Sequence, residues 1–149
     1  MSSRSQGFSL VEAMVALVVL AVGMLGIAGL YVTTLRSSGG AIYRQQAVGL
    51  AEDLADRIRA NRTANVAYQG AAANNNCYGA AAVADCTPAQ MAANDLFIWQ
   101  QQVTNPQTLP GGAGVVAVAG GAQPYTYTIT ITWTEQGGQA LNYVLTLQI

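Results

Sequence analysis

Hydrophobic and polar positions divide the chain into three regimes. From Ala13 to Leu35 no charged residue occurs, and Val, Leu, Ala, Met and Ile dominate 23 consecutive positions. As an α-helix that run spans about 34 Å, enough to cross a hydrocarbon core of about 30 Å. From Ala41 the pattern takes on helical spacing. Ala47, Val48, Ala51, Leu54, Ala55 and Ile58 form one apolar stripe, and Glu52, Asp53, Asp56, Arg57 and Arg59 fill the other positions. Asp53 and Arg57 stand four apart, close enough to pair on a helix surface. Ser37-Ser38-Gly39-Gly40 lies between the two regimes and is a weak point where a bend is expected.

The third regime has period two. Tyr125, Tyr127, Ile129, Ile131 and Trp133 alternate with Thr126, Thr128, Thr130, Thr132 and Thr134, as in a strand with one buried face. Leu141, Tyr143, Leu145, Leu147 and Ile149 repeat the alternation, and Gly137-Gly138 between the runs predicts an antiparallel hairpin. Val115 to Ala119 is expected to add a third strand. Upstream, residues 63 to 94 are rich in Ala, Asn and Gly and read as a loop-rich segment. Asn94-Asp95 is expected to cap a short helix carrying Leu96, Phe97, Trp99 and Val103. Pro106, Pro110, Gly111, Gly112 and Gly114 mark turns. The expected fold class is α+β: a long N-terminal helix packed on a small antiparallel sheet.

Composition sharpens this picture. The chain is 52% hydrophobic and 9% charged, too low in charge for an ordinary soluble domain, and the apolar excess sits in the first third. Net charge is −1, without Lys or His. No basic surplus is present to grip nucleic acid. Lack of His and Lys removes the commonest acid–base and Schiff-base chemistry. Asp85, Asp95 and Glu135 are scattered along the sequence, with no nucleophile–base pair and no metal-ligand cluster. No enzyme activity, cofactor or metal is expected. Arg57, Arg59 and Arg62 near the helix end read as a solvated terminus favoured by the helix dipole rather than as a binding patch.

Three residues ask for a chemical explanation. Cys77 and Cys86 are expected to pair if this part of the chain lies outside the cytoplasm, and to stay as thiols if it does not. Closing so short a loop is worth about 2–3 kcal/mol on the loop-entropy model. Glu12 stands at the start of the apolar run, where a charge well inside a bilayer costs about 2.5–3.5 kcal/mol. Arg4 precedes the run, so the positive-inside rule keeps the N-terminus cytoplasmic and exports the rest. Three readings compete: a secretory signal cut near Ala28–Gly29, a plain signal anchor with Glu12 reaching to the interface, and a prepilin signal.

The residues favour the third. Gly7-Phe8-Ser9-Leu10-Val11-Glu12, followed by Ala13-Met14-Val15-Ala16-Leu17, resembles the type III signal of type IV pilins and pseudopilins. The resemblance implies a prepilin peptidase that cuts after Gly7 and methylates the new N-terminus at Phe8. It implies that Glu12 pairs with the Phe8 amine of a neighbouring subunit or its own, relieving two desolvation penalties and setting axial register. Gly23, Gly26 and Gly29 interrupt the apolar helix. Either they allow close packing of membrane helices, or, as the family suggests, they mark a segment that unwinds on leaving the bilayer. Major pilins tend to have a proline there, and this chain has none.

Two longer stretches, Val19 to Leu30 and Ala51 to Arg62, are similar to the PilV group of minor pilins. Asp95-Leu96…Trp99, Leu109-Pro110-Gly111-Gly112 and Tyr127-Thr128-Ile129…Trp133 are similar too. That resemblance implies a minor pilin that primes pilus assembly in a tip complex. Its implied partners are other minor pilins, the major pilin, the prepilin peptidase, the inner-membrane assembly platform and a large tip adhesin. It implies residence in the bacterial inner membrane with a periplasmic head, then in the pilus. The implied divisions are a leader over 1–7, a membrane and polymerisation helix over 8–35, an amphipathic helix half over 36–62, and a head over 63–149. Mid-chain cysteines and a strand at the end of the sequence argue against a major pilin. A single acid in the last fifty residues, Glu135, argues against the calcium site of a major pseudopilin. A minor pseudopilin of type II secretion and a membrane-tethered periplasmic binding domain are the alternatives.

Overall fold

The computed structural model describes residues 9–78, 85–135 and 137–149. Helix α1 runs from Leu10 to Ala60. It passes through two units of the chain, Met1–Gly39 and Gly40–Ile149. The first unit holds the apolar run as helix, and all described side chains from Leu10 to Leu35 are exposed. Thr33 and Thr34 satisfy their hydroxyls on the helix itself, donating to the Leu30 carbonyl at 2.8 and 2.9 Å. Such back-bonding lets hydroxyls sit on a helix with no other partner.

The backbone stays helical through residues 37–40, where a bend was expected. Two serines and two glycines weaken a helix without removing any of its hydrogen bonds, as a proline would.

The second unit is built on the expected stripe. Ala47, Ala51, Leu54, Ala55 and Ile58 of α1 are fully buried. They share one core with Trp99 and Val103 and with Tyr127, Ile129, Ile131 and Trp133. The sheet has three antiparallel strands in the order β1 (Ala113–Ala119), β2 (Thr126–Thr134), β3 (Ala140–Gln148). Register sets Ile129 opposite Val116 and Leu145, so the apolar alternation of all three strands falls on one face. Six of the core positions on α1 and β2 are Ala or β-branched Ile, which suits close helix-on-sheet packing.

Two expectations between helix and sheet need correction. Part of 63–94 is ordered secondary structure: a 3-10 segment over Arg62–Gln69, and the start of helix α2, Pro88–Val103. Asn94 and Asp95 do not cap that helix. They lie within it and are buried. The cap is Thr87, whose Oγ1 accepts from the Gln90 N–H while the Gln90 side chain accepts from the Thr87 N–H. Pro88 at the first helical position completes the N-terminus, because its missing N–H is one the helix does not use. Gly114 is not a turn residue either. It sits in β1 under Trp99, where a Cβ would run into the indole ring.

Candidate functional site

The apolar half of α1 carries one charged group among its described residues, Glu12 in the first turn. The next charge along the chain is Arg36, about 36 Å further at 1.5 Å per residue. No described residue therefore stands within ion-pair distance of the carboxylate along this helix. The helix is long and apolar enough to cross a membrane, with a mean hydropathy of 2.6 over its most apolar window. At Gly23, Gly26 and Gly29 an added Cβ would meet nothing, so these glycines leave open surface on the helix. Gly7 and Phe8 lie outside the described residues.

The head contains a polar knot that sequence reasoning missed. Asp95 is 1% exposed and projects from the inner face of α2. Its Oδ2 accepts from the Tyr68 hydroxyl at 2.7 Å, and its Oδ1 accepts from the Tyr78 hydroxyl at 2.7 Å and from Arg57 Nη1 at 3.3 Å. Four segments thus meet on one carboxylate: the end of α1, the 3-10 segment, the cysteine loop and α2. Arg57 also holds Asp53 at 2.9 Å, so the expected Asp53–Arg57 pair is part of a larger network. The signal was present in the spacing. Ala92, Asp95, Leu96, Trp99 and Val103 share one helical face, and Asp95 is its only acid.

Electrostatics follow from this geometry. Burial pushes the Tyr68 phenol well above its ordinary value, and the hydrogen bond to Asp95 adds to it. Burial and the same carboxylate push Tyr78 up to about 12. For Arg57, partial burial opposes the charge, but hydrogen bonds and attraction from Asp53 and Asp95 outweigh it and raise the guanidinium above its usual value. Every strong donor around Asp95 is already engaged, which suits a structural tie rather than acid–base chemistry.

Cys77 and Cys86 form a disulfide, with Cα atoms 5.9 Å apart. It ties the segment ending at Tyr78 to the residue before the Thr87 cap. Asn75 adds two bonds from that segment to α2: its N–H reaches Asn94 Oδ1 and its side chain reaches the Gln90 carbonyl, each at 2.9 Å. At the other end of the head, Glu135 at the hairpin turn lies 3.4 Å from Arg44 of α1. Of the three arginines near the end of α1, Arg57 and Arg59 are taken by acids of their own surroundings, Arg59 by Asp56 at 2.6 Å. Asp85, Asp95 and Glu135 stay apart, and no group of three or more metal-ligating side chains comes together among the described residues.

Comparison with known families decides what the N-terminal helix is. The model of the prokaryotic N-terminal methylation motif matches residues 2–28, and the model described as type IV pilin Tt1218 matches residues 29–97. The chain belongs to the type IV pilin-like family. The two matches meet without a gap and run from residue 2 through α1 and the cysteine loop into α2. Neither a curated protein nor a solved structure matches the chain significantly. The long helix followed by a three-stranded antiparallel sheet is the α+β architecture of a type IV pilin. The family is structural, and membership implies assembly with other pilus components. The methylation motif and the apolar helix are consistent with a membrane-anchored pilin.

Proposed function

We propose that this pilin is a minor subunit, cut after Gly7 by prepilin peptidase, methylated at Phe8, and built into a type IV pilus, where it primes assembly within the tip complex. The observation that carries this reading is the exposed, uncharged helix from Ala13 to Leu35 with a single carboxylate, Glu12, at its start. A buried carboxylate needs a cation, and the methylation motif supplies one: the amine of Phe8 on the subunit itself or on its neighbour. Matched charges at that depth fix axial register, and the apolar helix surface provides the contact area.

The divisions that follow are a leader over 1–7, the membrane and polymerisation segment over 8–35, the amphipathic half over 36–62, and a periplasmic head over 63–149. Before assembly the chain rests in the inner membrane with its N-terminus cytoplasmic. Its partners are the other minor pilins, the major pilin, the assembly platform and a large tip adhesin. Deleting the chain tests this directly. A priming subunit present in few copies lowers the number of pili per cell while remaining pili keep normal length and composition. Unchanged pilus number, or a chain as abundant in sheared pili as the main subunit, contradicts the minor role. Loss of protein secretion with normal piliation points to a pseudopilus instead.

A further inference from the structure

We infer that the free edge of β3 is a docking site for an extended strand of a different polypeptide of the filament assembly, which would complete the sheet of the head. Hydrogen-bond phase decides which backbone groups of β3 face outward. Tyr125 and Ile149 exchange both backbone bonds, at 2.6 and 3.0 Å, and Glu135 donates to the Gln139 carbonyl at 2.8 Å. Such pairs alternate along an antiparallel ladder. The register of the pair therefore turns the N–H and C=O of Leu141, Tyr143, Leu145 and Leu147 toward β2. Those of Asn142, Val144, Thr146 and Gln148 point outward, and all four residues are exposed. At the opposite edge the outward groups belong to Gly114, Val116 and Val118, none of them exposed.

Proteins blunt open edges with charges, prolines or bulges. β3, Ala-Leu-Asn-Tyr-Val-Leu-Thr-Leu-Gln, has none of these. Its inward side chains Leu141, Tyr143 and Leu145 are only half-buried. Beside them lies a groove of about 380 Å³ lined by Arg44 and Val48 of α1 and by Trp133, Leu141, Asn142 and Tyr143. An added strand answers both at once. Its backbone pairs with the outward groups, and its inward apolar side chains cover Leu141, Tyr143 and Leu145 and extend into the groove. The matching segment is uncharged, with alternating aliphatic and small polar residues.

A second copy is the poorer occupant. Antiparallel pairing of β3 with β3 sets a two-fold axis perpendicular to the sheet, so the Gly40–Ala60 segments layered on it run in opposite senses. Subunits anchored in one membrane share one sense.

The inference rests on the chain's being a filament subunit, and the experiment separates the two. Val144→Pro removes an outward N–H that the fold does not use, and the pair Asn142→Lys with Thr146→Lys adds charge to exposed outer-face positions. Full-length chains are made in cells that assemble the filament. Thermal melting reports folding, the mass of the N-terminal peptide reports processing, and recovery in sheared filaments reports docking. The expected result is unchanged melting and processing with at least tenfold lower recovery for both variants. In the wild type, the Val144 and Thr146 amides should exchange at least a hundredfold more slowly in filaments than in the isolated, detergent-solubilised chain. If Val144→Pro melts lower, the lysine pair decides. Recovery of the lysine pair at wild-type level, or equally fast exchange in filaments, overturns the docking edge. So does slow exchange in the isolated chain at dimer mass, which would assign the edge to a second copy. An unprocessed wild-type N-terminus removes the filament reading itself. The edge is then judged on gently extracted membranes, where fast exchange of the same amides overturns it.

Discussion

A single buried carboxylate, Asp95, does most to hold the irregular part of the head. Removing it leaves the buried Tyr68 hydroxyl only the more distant Arg57 carbonyl, at 3.2 Å, as acceptor, and strips Arg57 of its inner partner. Asp95→Asn is expected to destabilise the head by about 2–3 kcal/mol, the cost of a buried polar group left badly paired. Thermal or denaturant unfolding of the oxidised protein measures it. The same knot predicts a pH dependence. The Tyr78 phenol titrates near 10.0 when unfolded and about 12 when folded. A raised folded value means that this contribution is fully present below pH 10 and is lost as pH climbs toward 12. Unfolding midpoints should fall across that window, and Tyr78→Phe should lessen the fall by removing one raised phenol, Tyr68 still contributing in the same sense. Asp95 was legible only as the one acid on the inner face of α2; its partners were not, because the meeting of four segments separated by up to 38 positions leaves no local pattern. Glu12 stands out in the sequence as a lone acid at the head of an apolar run, and its proposed role awaits the incorporation test.

Elements were legible where one periodicity governed a whole stretch. The threonine alternation of β2 and the leucine alternation of β3 place the hairpin almost to the residue, since a register slip would turn every aromatic outward. The amphipathic stripe of α1 was equally clear. Helix α2 was shortened at its start, because Ala-Gln-Met-Ala-Ala has no apolar stripe strong enough to outweigh the composition around it. The overlooked signal is Thr87-Pro88-Ala89-Gln90, a capping box with proline at the first helical position. Thr87→Ala should cost about 1 kcal/mol. Such a loss shifts Tm by roughly 4–8 °C in a domain of this size. Gly23, Gly26 and Gly29 give a contrasting expectation. An added methyl meets nothing there, so Gly→Ala at each should leave head stability untouched and strengthen the helix by about 1 kcal/mol. If these glycines serve packing or unwinding, the change appears only as reduced recovery in filaments.

The whole molecule divides its labour between two units. The second unit, from Gly40 onward, has its own core, its disulfide and a sheet. Among the described residues the first unit contributes nothing to a core, and its side chains are exposed and mostly apolar. Such a surface demands a bilayer or other subunits, and the methylation motif over residues 2–28 is consistent with a membrane-anchored pilin. Glu12 is where the two environments make opposite demands. It should tolerate the interface in the membrane and require an amine in the filament. Glu12→Ala is expected to leave processing largely intact and to lower incorporation. Normal incorporation of that variant would remove the register role.

The central claim is that the chain is a peptidase-processed filament subunit. Mass spectrometry of the N-terminal peptide, from cells with and without prepilin peptidase, tests it most directly. The account predicts a peptide beginning at methylated Phe8 that disappears when the peptidase is deleted. An intact leader in both strains, or a cut near Gly29, would contradict it and leave a tethered or secreted head domain.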